Sequence, residues 1–160
     1  VLQACRRLPA LRGTVVDLPL VCEIGLEHVL GEDEHSRIAF IKADLRTESL
    51  PAGYDLVSFK SMLHDWPEQQ ALAFLTKAVQ AADPGGTVLI FERGPIEPKG
   101  VTPPFSMLPV LLFFRSYRQP SVYARHLESL GCTDVRRQEI QLDTPFHLVT
   151  ARTPAAGRAG

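Results

Sequence analysis

The run YDLVSFKSMLHDWPEQQALAFLTKAVQAADPGGTVLIFE, residues 54–92, constrains the fold more than any other part of the chain. Tyr54–Phe59 and Thr87–Phe91 are apolar segments of strand length. Pro67 and Glu68 open a helix that runs through Ala82, with Leu72, Leu75 and Val79 on its apolar face. Asp83-Pro84-Gly85-Gly86 reads as a turn back to the second strand. A strand, a helix and a strand at this spacing form a crossover unit, which pairs its strands in parallel and buries them under helices.

The flanking sequence repeats the alternation. Val1–Leu11 has helical spacing at Leu2, Cys5, Leu8 and Leu11, and Gly13 breaks it. Thr14–Val16 is a β-branched strand ending in Asp17. Pro19 opens a helix over Leu20–Leu30 that Gly31 closes, and the acidic turn Glu32-Asp33-Glu34 follows. Arg37–Lys42 is a further strand, running out at Asp44. Ser121–Leu130 is a helix stopped by Gly131, and Val135–Leu142 with Phe146–Ala151 form a strand pair around Asp143, Thr144 and Pro145. The order implies a doubly wound α/β sheet closed by a C-terminal antiparallel pair. One domain is expected over 1–152, with a flexible tail over 153–160.

Bulk properties exclude several classes. The 160 residues, 45% hydrophobic, suffice for a buried core and argue against disorder. A net charge of −1 offers nothing to nucleic acid. The longest apolar stretch, near Leu108–Phe114, is too short to span a bilayer, and VLQACRRLPALRG has no signal-peptide core. Cys5, Cys22 and Cys132 have no metal-ligand spacing and read as reduced thiols of a cytoplasmic protein. The chain opens on Val inside a helical pattern, which reads as a fragment or a processed product.

In doubly wound sheets ligands sit outside the carboxyl ends of the strands. That rule singles out Asp17, Asp44, Lys60–Asp65 and Glu92, and places them on one edge. Asp17 suits the two hydroxyls of a ribose, or equally a helix N-cap. Asp44 suits an adenine amino group or the cap of a turn. His64 follows a strand end, where an imidazole of near-neutral pKa can remove a proton from a phenol or alcohol. Glu92 could fix the His64 tautomer, or simply pair with Arg93 or Lys60. His28, His35, His126 and His147 read as structural or solvated. Phe105, Met107, Leu108, Phe113 and Phe114 fit the wall of an aromatic pocket, a piece of core or a dimer surface.

Taken together, TVVDLPLV, the strand ending KADL, and the 54–92 run resemble the S-adenosylmethionine-dependent O-methyltransferases of the plant caffeic acid type and of bacterial polyketide tailoring. The resemblance covers the chain except its last few residues. It implies a Rossmann-like class I methyltransferase sheet. It also implies an S-adenosylmethionine cofactor, no metal, and a small hydroxylated substrate, aromatic or polyketide. Asp17 matches the ribose-binding acid, Asp44 the acid near adenine, Leu45 a contact to the adenine ring and Lys60 a lysine near the cofactor. His64 matches the catalytic base and Glu92 one of two acids flanking it. Asp65 falls within the shared motif, with a local hydrogen-bonding role.

Two departures stand out. The second flanking acid belongs in the stretch RSYRQPSVYA, where Tyr117 takes its place; either His64 is less well supported or Tyr117 supplies a hydroxyl instead. The family's glycine-rich cofactor loop follows a first, central strand, and no GxGxG occurs in this chain. The expectation is therefore the C-terminal part of the catalytic domain, impaired alone, without the N-terminal helical domain that dimerises such enzymes. A homodimer is expected through that domain or through 105–114. Without the central strand, two strand edges lose their partners. Buried unpaired backbone groups cost about 1–3 kcal/mol each against a domain stability of about 5–15 kcal/mol. The strands ending at Asp17 and Phe59 are thus expected to pair directly or to take up a partner segment. Two alternatives to methyl transfer remain: a sibling hydroxylase or decarboxylase on the same scaffold, and a degenerate, non-catalytic chain.

Overall fold

The computed structural model describes residues 1–95, 105, 116–142 and 144–155. It divides into two compact units, Val1–Leu50 and Pro51–Gly160.

The first unit contains α1 (Leu2–Arg7), β1 (Gly13–Asp17), α2 (Pro19–Val29), a 3₁₀ turn at His35–Arg37 and β2 (Ile38–Lys42). Helix α1 stops well short of the expected Leu11. Pro9 disfavours the helical region for the residue before it, and Leu8 is extended at φ −125, ψ 92. The carbonyls freed at this helix end are taken by Arg37, whose Nη1 donates to the oxygens of Cys5 (3.0 Å), Leu8 (3.3 Å) and Leu11 (3.1 Å). Arg37 is therefore a cap, and the strand expected from it begins at Ile38. Strands β1 and β2 pair in parallel, from Gly13 opposite Ile38 to Asp17 opposite Lys42. Cys5, Val29 and Ile38 form the core here, with Leu2, Leu11, Val15 and Phe40 packed against them.

The second unit contains β3 (Tyr54–Lys60), a 3₁₀ turn at Leu63–Asp65, α3 (Glu68–Ala81), β4 (Ala82–Arg93), α4 (Pro120–Ser129), β5 (Thr133–Gln141) and β6 (Pro145–Arg152). Its sheet runs β3-β4-β6-β5. β3 and β4 are parallel, and β6 is antiparallel to both β4 and β5. Helix α3 packs on β3 and β4, and α4 packs on β5, β6 and α3. Phe74, Leu75, Val88, Ile90, Leu127 and Val149 are all within 1% of full burial. Large side chains buried this completely stabilise by roughly 1.5–3 kcal/mol each.

Two sequence expectations change. Asp83–Gly86 is a bulge inside β4: Ala82 already pairs with Tyr54, and the ladder resumes with Thr87 opposite Leu56. Gly85 sits at φ +75, and a Cβ on Gly86 would meet the Asp83 carbonyl at 2.8 Å, so the bulge needs both glycines. The direct pairing expected of the strands ending at Asp17 and Phe59 is not formed. β1 pairs with β2 and β3 with β4, which leaves each an edge strand among the described residues. β3 is exposed at Asp55, Leu56, Ser58 and Lys60, so its outer backbone groups can be hydrated and the burial penalty does not arise.

Thr153, expected as the first residue of a flexible tail, is tied to the sheet. Thr153 is buried, its hydroxyl donates to the Asp83 carbonyl (2.6 Å), and its N–H bonds to Gly86 (3.0 Å). Among the described residues no helix is long and apolar enough to cross a membrane.

Candidate active site

Alternation along β4 decides where Glu92 goes. Val88, Ile90 and Glu92 are two residues apart and share the buried face, while Leu89, Phe91 and Arg93 share the other. A carboxylate at 2% exposure must be fully hydrogen-bonded. Its Oε1 accepts from the N–H groups of Met62 and Leu63, both at 2.7 Å, and its Oε2 contacts His64 Nδ1 at 2.8 Å. Hydrogen bonds to a charged group contribute about 1.5–3 kcal/mol each. Arg93, on the opposite face, lies over the Phe146 ring and donates to Thr144.

The strand β3 delivers His64 to this carboxylate through one strained residue. Ser61 has φ +50, the left-handed region that a non-glycine residue enters at a cost of about 1–3 kcal/mol. Its N–H still bonds to Phe91 in the parallel ladder (2.9 Å). The chain then reverses into the Leu63–Asp65 turn and aims two consecutive amides at Glu92. Leu63 is fully buried beneath the turn, and Trp66 meets Phe74 of α3 edge-on at 5.3 Å.

His64 is held on several sides. A carboxylate at Nδ1 fixes the proton there and leaves the lone pair on Nε2, the arrangement a base requires. Nε2 lies 3.4 Å from Asp65 Oδ1. The Tyr117 ring approaches the imidazole at 4.9 Å between centroids, tilted by 49°. Burial raises the Tyr117 phenol above its ordinary pKa. Arg93 opposes that shift, and Glu92 and Asp65 add to it, so the group is a neutral O–H at physiological pH. Arg118 was not singled out by sequence. Its Nη1 donates to the Leu63 carbonyl (3.0 Å), its Nη2 to the Trp66 carbonyl, and its Nε lies 3.8 Å from Glu68. The only sequence signal for it is an arginine beside the departure at Tyr117.

The first unit brings Asp17 and Asp44 to the carboxyl edge of the β1–β2 pair. Asp17 is half-buried, and its Oδ1 accepts from the Leu18 N–H at 2.8 Å. Asp44 caps its own turn. Its carboxylate accepts from the Arg46 amide (2.9 Å) and binds the Arg46 guanidinium through Nε (2.9 Å) and Nη2 (2.6 Å). Leu45 is half-buried beside it. In the second unit Lys60 ends β3, exposed.

Other expected features fall out plainly. His126 bonds to Thr76 between α3 and α4 (3.0 Å), and His35 to the Glu32 carbonyl (3.1 Å). Cys5, Cys22 and Cys132 are buried free thiols. The apolar segment with Met107, Leu108, Phe113 and Phe114 lies outside the described residues, apart from Phe105, which is exposed.

A family model described as an O-methyltransferase domain matches residues 1–108. The chain belongs to the O-methyltransferase domain family. It is 36% identical over 142 residues to 3-hydroxy-5-methyl-1-naphthoate 3-O-methyltransferase of Streptomyces sahachiroi, covering 84% of this chain and 40% of that one. It is 31% identical over 102 residues to aclacinomycin 10-hydroxylase RdmB of Streptomyces purpurascens, covering 64% of this chain and 27% of that protein. The crystal structure of the apo form of the S-adenosylmethionine-dependent methyltransferase SibL superposes with a TM-score of 0.79 at 29% identity, covering 95% of this chain and 46% of that one. The chain therefore spans less than half the length of these family members, and its architecture is that of their class I methyltransferase sheet.

Proposed function

We propose that the protein transfers a methyl group from S-adenosylmethionine to a hydroxyl of a small aromatic or polyketide molecule, with His64 as the general base. The observation carrying this reading is the 2.8 Å contact between His64 Nδ1 and the buried Glu92 carboxylate. It supports a lone pair on Nε2 before the reaction and a stabilised imidazolium after it.

S-adenosylmethionine, when bound, supplies an electrophilic methyl group on a sulfonium. The chain's own residues do the rest. Asp17 fits a ribose: its carboxylate is oriented by the Leu18 N–H and can accept from a pair of hydroxyls. Asp44 fits adenine less well, because Arg46 already occupies both carboxylate oxygens. Leu45 is placed to offer apolar surface to a ring, and exposed Lys60 is the lysine assigned to the cofactor. His64 Nε2 takes the proton of the acceptor hydroxyl, and Glu92 balances the charge formed on the ring. A positioned base contributes about 10²–10⁴-fold to such a step.

His64→Ala in the full-length protein should lower turnover by that factor, about 10²–10⁴-fold, and leave S-adenosylhomocysteine affinity, measured by calorimetry, unchanged. Undiminished turnover would remove His64 from the mechanism. No detectable S-adenosylhomocysteine binding by the full-length protein would instead favour a degenerate, non-catalytic chain. The likeness to RdmB supports a second reading, hydroxylation on this scaffold. The His64–Glu92 pair weighs against it, since it equips the site for proton removal.

A further inference from the structure

We propose that Arg118 is the positioning residue of the His64 turn, holding its carbonyl side while Glu92 holds its amide side. The proposal rests on the reading of His64 as base. The Leu63–Asp65 turn is short, and its own bonds are few and long: Asp65 N–H to Met62 at 3.2 Å and Trp66 N–H to Leu63 at 3.4 Å. Such a turn, entered through a left-handed Ser61, does not fix the His64 imidazole by itself. Two buried ions of opposite sign do so from outside. Glu92, 2% exposed, accepts the amides of Met62 and Leu63 at the start of the turn. Arg118, with its side chain 10% exposed, donates to the carbonyls of Leu63 and Trp66 on either side of His64. The polarity matches on both sides, an anion at the amides and a cation at the carbonyls.

The guanidinium is itself anchored. Glu68, the first residue of α3, lies 3.8 Å from its Nε, and the buried Tyr123 phenol of α4 lies near enough to feel its charge. Leu63 O and Trp66 O bracket His64 in sequence, so a rigid fork on both leaves the intervening residue little freedom. Only arginine spans two carbonyls in this way; a lysine ammonium is a point donor on a flexible stem. Arg118 reaches no reacting atom and acts through the backbone, so its effect should fall on the orientation and proton placement of His64.

The test uses the full-length protein with Arg118→Met and Arg118→Lys. The first readout is the imidazole nitrogen spectrum of His64, assigned by its loss in His64→Ala. The wild type should show a single form protonated on Nδ1. Arg118→Met should show mixed tautomers, and Arg118→Lys should fall between them. With S-adenosylmethionine and a hydroxynaphthoate acceptor, kcat should fall roughly 10- to 100-fold in Arg118→Met, with partial rescue by lysine. S-adenosylhomocysteine affinity should be unchanged. If Arg118→Met does not fold, Arg118→Lys decides, through its tautomer ratio at wild-type Tm. Wild-type tautomer and wild-type kcat in a folded Arg118 variant would overturn the proposal. If His64→Ala alone leaves turnover intact, the base reading fails, and the spectrum still decides whether Arg118 places the ring.

Discussion

The acids of the two units sit at or close to the carboxyl ends of parallel strands, yet they are held in opposite ways. Glu92 is sealed into the core face of β4, and its hydrogen bonds reach back some thirty residues to Met62, Leu63 and His64. Asp17 and Asp44 are half-buried and satisfied by neighbours one or two residues away, Leu18 and Arg46. A buried carboxylate cannot turn to water, so its partners are fixed by the fold. A half-exposed strand-end acid instead caps backbone close to it in sequence. A strand-end carboxylate is thus locked into a rigid hydrogen-bonded frame in one unit and is held only locally, and so is adaptable, in the other.

The largest effect is expected of Glu92→Gln. The amide oxygen can still accept from Met62 and Leu63, but the amide nitrogen would face His64 Nδ1 as a donor. The imidazole would then carry its proton on Nε2, the wrong nitrogen for a base. Turnover should fall by about 10²–10⁴-fold, measured as kcat, while cofactor affinity holds. A small loss would mean that Glu92 serves the core alone and that the two units do not differ in the way argued.

How much of this was legible in the sequence follows the same division. β4 carries the phase of Val88, Ile90 and Glu92 openly, and an acid in register with two core positions is a sign of a buried, partnered group. The crossover 54–92 and the closing strand pair follow from hydrophobic period and turn chemistry. The turn holding His64 does not, because a left-handed Ser61 has no sequence signature. Arg37 and Arg118 were also hidden. Each hydrogen-bonds carbonyls at the end of a helical segment, from 26 to 55 residues away in sequence. No local pattern marks an arginine for that task. Pro9 is legible in the sequence, and its steric demand on Leu8 is a stronger constraint than the apolar spacing that extends the helix to Leu11.

A milder test sharpens the comparison within the first unit. Asp17→Asn should weaken S-adenosylhomocysteine binding by about 10- to 100-fold, the worth of a charged hydrogen bond at about 1.5–3 kcal/mol. Asp44→Asn should cost less, because its carboxylate is committed to Arg46 and the substitution falls first on the turn. Calorimetric titration of the two variants decides the order. A larger loss for Asp44→Asn would mean that the Arg46 fork opens on binding, and the assignment of the adaptable acid would pass from Asp17 to Asp44.

The smallest effect lies behind the Arg118 anchor, in the pH dependence of stability. Burial raises the Tyr123 phenol above its ordinary pKa, and the nearby Arg118 guanidinium only partly offsets this. The folded state therefore keeps its proton after the unfolded chain, with an ordinary value of about 10, has begun to lose it. Stability from this group is complete below about pH 10 and is lost as the pH climbs towards the raised folded value. Tyr123→Phe should lower stability slightly at neutral pH, through loss of the polar hydroxyl beside the Arg118 guanidinium. It should also flatten the decline above pH 10 relative to wild type. Tyr117 titrates with the same sign in both proteins and cancels in the difference. If the two proteins decline in parallel, Tyr123 ionises as readily folded as unfolded, and the α4 side of the Arg118 anchor is wetter than its 2% exposure implies.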